Sequence, residues 1–238
     1  MPEIPVTLSV AEVTDAFPAY RVALVVARGL EIAEERSPGL AQAIAEIETA
    51  AAEALGEQAL AELPELQAWR SAYKAFGVKK TSYRSSVERL LKAVQQGRGL
   101  PRVNSLVDAY NALSVRHRMP VGADDLDLVV GGLAFRPSRP GDSFIALGDA
   151  EVRDDPPKPG EIVYADAEKL LCRRWNWYQD ARSATSPSTR AAVLTVQSLD
   201  ADPGPAAEEL CAWLAEHCAA TCAFSVADQG RPAVTVDP

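Results

Sequence analysis

Between residues 37 and 118 the chain follows helical periods, and after Pro120 it breaks into short apolar runs separated by Gly131-Gly132, Pro140-Gly141 and Pro159-Gly160. No other feature constrains the fold more. A parallel sheet needs strands that alternate regularly with crossover helices, and these runs are not interleaved that way. The prediction is an α+β or α/β domain with a largely antiparallel sheet and flanking helices. At 238 residues the chain is long enough for one sizeable core.

Residues 6–10 and 22–27, rich in Val and Leu, read as two short strands around a turn at Asp15-Ala16-Phe17-Pro18. Residues 37–69 carry Ile44, Ile47, Ala51 and Leu55 at helical spacing behind a Ser37-Pro38 start, giving a helix or helical hairpin with an acidic outer face. Pro64 opens a further helix whose stripe of Leu66, Trp69, Tyr73 and Phe76 reads as core before Gly77 ends it. Residues 85–96 form another, with Val87, Leu90, Leu91 and Val94 inward. Strands are predicted at 126–134, 144–147, 162–164, 191–196 and 233–236, and a helix at 205–221. As domains, 1–68 is expected to be integral to the same unit as a core at 69–200, with 201–238 completing it.

Charge is segregated along the chain. Three Lys/Arg face twelve Asp/Glu in residues 1–69, a net of -9; eleven face two in residues 70–118, a net of +9; ten face nineteen in the remainder, again -9. The central block offers a positive field to phosphates, with Lys79, Lys80, Arg84, Arg98 and Arg102 as candidate nucleic-acid contacts. Solvated helix faces balanced by acidic neighbours are the plainer reading. One contiguous patch leading to a pocket would favour nucleic acid, and dispersed cations a small molecule.

Residues 104–118 are the most informative. Leu106, Ala109, Tyr110 and Leu113 mark a buried helix face, and Asn104 is its best cap. Asn104, Asp108 and Asn111 fall on another face, where two amides and a carboxylate would line a polar pocket or form only a cap and a solvated row. In Arg173-Arg174-Trp175-Asn176-Trp177, strand alternation would set Arg173, Trp175 and Trp177 on one face and Arg174 and Asn176 on the other. The aromatics would then stack on a base or substrate ring, or form core. Arg173 is counted among the nucleic-acid contacts; Trp175, Asn176 and Gln179 are candidate substrate contacts. Asp180, Thr185 and Thr189 are weaker candidates.

The string Arg102-Val103-Asn104-Ser105-Leu106-Val107-Asp108-Ala109-Tyr110-Asn111, followed by Pro120 and Asp127, resembles the Arg-x-Asn-x-x-Val-Asp-x-x-Asn segment of the editing (B3/B4) module of the bacterial phenylalanyl-tRNA synthetase β subunit. Tyr83-Arg84-Ser85-Ser86-Val87-Glu88-Arg89-Leu90, Gly122-Ala123-Asp124-Asp125-Leu126-Asp127 and Leu171-Cys172-Arg173-Arg174-Trp175-Asn176-Trp177 are similar to its free-standing branch, so the resemblance spans about 69–198. It implies a B3/B4-like domain, hydrolysis of wrongly formed tyrosyl-tRNA, and Asn111 as a pocket residue. The chain departs from the pattern where the family's His would fall at Gly122, and where a glycine pair precedes the editing Glu.

Ester hydrolysis needs a positioned water, a grip on the α-amino group and donors near the oxyanion. Asn111 and Asp108 are the candidate catalytic residues, Asn111 orienting carbonyl or water and Asp108 holding the ammonium. The expected function is an aminoacyl-tRNA editing hydrolase (deacylase), or a protein binding an aminoacyl ester or amino acid. The alternatives are a non-catalytic RNA-binding adaptor and a small-molecule enzyme reusing the pocket. The expected partners are tRNA or aminoacyl-tRNA and an amino acid or related small molecule, with no DNA and no membrane. No cofactor and no metal are expected, because Cys211, Cys218 and Cys222 lack a paired knuckle. Cys172 would need a basic partner to act as a nucleophile. No leader or membrane-length apolar run is visible, so a cytoplasmic location is expected.

Overall fold

The computed structural model describes residues 4–78, 83–148 and 155–237. Among these described residues, ten strands and six α-helices make three layers. In chain order they are β1 (Val6–Ser9), α1 (Ala11–Thr14), β2 (Arg21–Arg28), α2 (Pro38–Leu55), α3 (Pro64–Ala75), α4 (Ser86–Gln95), α5 (Ser105–His117) and β3 (Val121–Asp125). Then follow β4 (Leu133–Pro137), β5 (Ile162–Ala165), β6 (Leu170–Arg173), β7 (Tyr178–Gln179), β8 (Ala191–Ser198), α6 (Gly204–Cys218), β9 (Thr221–Ala227) and β10 (Ala233–Val236). One sheet has the order β3-β8-β2-β9 and is antiparallel throughout; the other is β10-β1-β4-β5-β6-β7, with only β1 and β4 parallel.

Strand β2 shows why the layers stack. Its residues are apolar on both faces, as a strand covered on both sides requires. Ala23, Val25 and Ala27 enter a core shared with α2, α4, α5 and α6, while Val22, Leu24 and Val26 enter a core shared with the six-stranded sheet. The fold is therefore α+β, antiparallel sheets flanked by helices. Local signals set the helix starts: Ser37 accepts from Leu40 N at 3.2 Å with Pro38 in the first turn, and Pro64 opens α3.

Four sequence expectations change. The strand expected at 126–134 is divided: β3 lies earlier, Asp125 caps a 3-10 turn at Leu126–Leu128, and β4 starts only after Gly131-Gly132. The run 144–147 makes a single bridge, Ala146 to Asp180. The last helix stops at Cys218, because Ala219 turns left-handed and frees 221–227 to pair with β2. Finally, β6 ends at Arg173, and Arg174 and Trp175 take positive φ of 48° and 66°, so strand alternation across 173–177 does not exist.

Candidate functional site

A cleft of about 420 Å³ runs along the outer edge of β3, between α4 and α5 on one side and the segment 176–179 on the other. Helix α5 supplies one wall. Leu106, Ala109 and Leu113 bury it against the four-stranded sheet, and Asn104 Oδ1 accepts from Val107 N at 2.9 Å to cap it. Asp108 is held by Arg36 Nε at 2.6 Å and Val103 N at 2.9 Å. The three polar residues thus do not share the pocket. They lie on one side of the helix, but Asn111 is about 10 Å along the axis from Asn104, and only Asn111 lines the cleft. Its amide is 8% exposed and makes no hydrogen bond with the described residues.

Opposite stands Asp124, on β3, a residue to which the sequence reading gave no role. Its Oδ1 accepts from Ser183 Oγ at 2.6 Å and Gln179 Nε2 at 3.0 Å, while its Oδ2 has no partner among the described residues. Burial pushes its carboxyl up to about 7, against the pull of the two hydrogen bonds. Gln179 also donates to Ala123 O. Polar side chains continue the lining: Tyr73 Oη donates to Asn176 Oδ1 at 2.8 Å, Asn176 Nδ2 to Gln197 Oε1 at 3.2 Å, and Gln197 Nε2 to Thr195 Oγ1 at 3.1 Å. The Tyr164 hydroxyl, also on the cleft, is buried without a partner among the described residues. Cys172 lines the cleft too, but burial and the nearby Asp124 push its thiol up to about 12, so it is no thiolate at neutral pH.

The other expected residues scatter. Trp175 is fully buried, edge-on to Phe17, Tyr20 and Trp69 at 4.8, 4.8 and 5.3 Å, and is core, away from the cleft. Asn176 and Gln179 do line it. Arg173, placed by the sequence at a tRNA surface, is 2% exposed and paired with buried Glu161 at 2.8 Å and with Asp155. Arg174 lies between Tyr83 and Trp177, at 3.7 and 4.3 Å from their centroids.

Arg84 and Arg70 share Glu88, at 3.2 and 2.6 Å. Arg118 pairs with Glu65, and Arg116 with Glu209. Exposed Arg98 is held by Gln96, exposed Arg102 follows Pro101 of the cleft lining, and Lys79 and Lys80 lie outside the described residues. Arg89, exposed at the cleft mouth, donates to Trp177 O at 2.7 Å and sits over the Tyr178 ring. Among the described residues no three side chains of metal-ligating type come together, and no helix is long and apolar enough to cross a membrane.

The fold and cleft define an α+β domain with a ligand-sized, largely apolar site at a strand edge, into which a few polar groups converge. Residues 68–202 match the B3/4 domain, and the chain belongs to that family. The phenylalanine–tRNA ligase beta subunit of Solibacter usitatus (strain Ellin6076) is 39% identical over 74 residues, which are 31% of this chain and 9% of the ligase. Among solved structures, an N-terminal fragment of the phenylalanyl-tRNA synthetase β-subunit from Pyrococcus horikoshii aligns over 91% of this chain and 50% of its own, with a TM-score of 0.49 and 14% identity. The matches therefore span less than a tenth of the ligase and half of the fragment.

Proposed function

We propose that the cleft binds the aminoacyl end of a wrongly charged tRNA and hydrolyses its ester. The observation that carries this reading is the convergence, in one buried cleft, of three polar groups with hydrogen-bonding capacity left open: the Asn111 amide, Asp124 Oδ2 and the Tyr164 hydroxyl. Of the three, the Tyr164 hydroxyl is buried without a partner among the described residues, which costs about 1–3 kcal/mol, and a polar ligand would repay it. Asp124, half-ionised near neutrality, suits a general base. It takes a proton from water, the water oxygen attacks the ester carbonyl carbon, and the ribose oxygen leaves with a proton. The products are free amino acid and tRNA. Asn111 orients the carbonyl; Gln179, with Ser183, orients Asp124. Asn104 and Asp108 act one step back, by fixing the start of α5. Arg89 and Arg102 would meet phosphates at the mouth, with Arg84 and Arg98 farther along the same basic block.

Deacylation assayed over a panel of misacylated tRNAs tests this. At least one tRNA should be turned over, and Asn111→Ala should lower that rate about 100-fold. Absence of turnover on every tRNA would sink the hydrolase reading. The second reading, a small-molecule site on the same scaffold, draws support from the net charge of -9 and from the basic residues already engaged by Glu65, Glu88 and Glu209. Binding of free amino acids without tRNA affinity would select it.

A further inference from the structure

Strand β3 is an edge strand, and its open edge faces the cleft. In the register of β3 with β8, Gly122 lies opposite Thr195 and Asp124 opposite Val193, and Pro120 O accepts from Gln197 N at 3.0 Å. In an antiparallel ladder the residues that exchange hydrogen bonds alternate with those that do not. Residues 120, 122 and 124 therefore spend their backbone groups on β8, and Val121 and Ala123 turn theirs outward. One outward group is already used in a telling way: the Gln179 side-chain amide occupies the Ala123 carbonyl, as a neighbouring strand would. The Val121 carbonyl and the Ala123 N–H, on either side of Gly122, have no partner among the described residues. Residues 121–124 all line the cleft.

We infer that the α-amino acid part of the ligand docks on this edge as one residue of a parallel strand, its amino group donating to the Val121 carbonyl and its carbonyl oxygen accepting from the Ala123 N–H. That donor–acceptor spacing, bracketing one residue, is how a parallel strand residue pairs with its neighbour. Gly122 completes the fit. Paired residues present side chains on the same face, and a Cβ built at Gly122 would meet nothing within 4 Å, so the room a ligand side chain needs lies open beside it. The recognition is through main chain, independent of side-chain identity, and the Ala123 N–H becomes an oxyanion donor when the carbonyl is attacked. This inference rests on the aminoacyl reading of the cleft and specifies how that moiety is held.

The probes are L-phenylalaninamide and L-alaninamide, titrated into the full chain. In wild-type protein, saturating L-phenylalaninamide should slow amide hydrogen exchange at Ala123 by at least about tenfold, and more than at Gly122 and Asp124, which already bond to β8. Ala123→Pro removes the outward N–H without removing a ladder bond, and should weaken both amides about tenfold, with the fold checked by circular dichroism. Should that variant not fold, Gly122→Val serves. The open space admits its side chain, and it should cost phenylalaninamide at least about tenfold more affinity than alaninamide. Ligand binding with Ala123 exchange unchanged, or equal losses of the two amides in Gly122→Val, overturns the docking mode and leaves the aminoacyl reading standing. Failure of wild type to bind either amide overturns both.

Discussion

In the proposed mechanism Asp124 carries both the base and the energetic cost of the cleft in one side chain. It is 5% exposed, and its carboxyl is pushed up to about 7 by burial. In the unfolded chain an Asp titrates near 3.9, so between roughly pH 4 and 7 the native state holds the extra proton and stability falls as pH rises. The loss is on the order of 4 kcal/mol across that window. Asp124→Asn keeps an oxygen for Ser183 and Gln179 and never ionises. Urea denaturation should find this variant more stable than wild type at pH 8 by roughly 2–4 kcal/mol, with the pH dependence between 4 and 7 flattened. The deacylation rate should rise tenfold per pH unit below about 7 in wild type, and drop about 100-fold or more in the variant at pH 8. A variant that is more stable and fully active would remove Asp124 from the proposed mechanism. In the sequence this residue was invisible as a base, since its shift comes from what surrounds it: Ser183 is 59 positions away and Gln179 is 55.

Helix α5 divides its polar row between structure and the proposed chemistry. Asn104→Ala should cost about 1 kcal/mol through the lost cap, and Asp108→Ala about 1.5–3 kcal/mol through the lost bonds to Arg36 and Val103. Thermal melts would register both losses, whereas the turnover number of the folded fraction should stay within twofold for each. A collapse of turnover in stable Asp108→Ala would return that carboxylate to the reaction. The cap and the apolar row were legible because they depend on residues within one or two helical turns. The separation of Asn104 from Asn111 along the axis was not, because it matters only against the neighbours that cover each end.

Strand β3 was hidden for a different reason. Gly122, Asp124 and Asp125 are poor strand formers, and the segment is held extended by β8 and by Thr189 Oγ1 donating to Asp125. Likewise, nothing local announces that Arg174 and Trp175 leave the strand through left-handed conformations. Packing of Trp175 among Phe17, Tyr20 and Trp69 over-determines that turn. Trp175→Ala should therefore destabilise by about 3–5 kcal/mol in denaturant titration, as a fully buried aromatic.

Over the whole molecule, the basic block that stands out in sequence is partly neutralised in space by Glu65, Glu88 and Glu209. Arg89 and Arg102 remain exposed beside the cleft. Binding of tRNA should consequently weaken with salt, and Arg89→Ala and Arg102→Ala should each lower the slope of log K against log salt by about 1 in filter-binding titrations. Unchanged slopes in both variants would point to the small-molecule reading. The layering itself was legible only in outline. Two neighbouring apolar runs, 6–10 and 22–27, resemble partners, yet α1 intervenes and β1 and β2 enter different sheets.

The position of β1 also sets an order in time. Its neighbours are β4, whose Leu133 lies opposite Leu8, and β10, where Val236 lies opposite Val6. During synthesis β1 must wait for more than a hundred further residues before β4 covers one edge, and for about a hundred more before β10 covers the other. A ribosome-bound chain halted before residue 233 would carry β1 with an open edge, a template for pairing with another nascent copy. Of the two described sheets, the six-stranded one is thus the later to close.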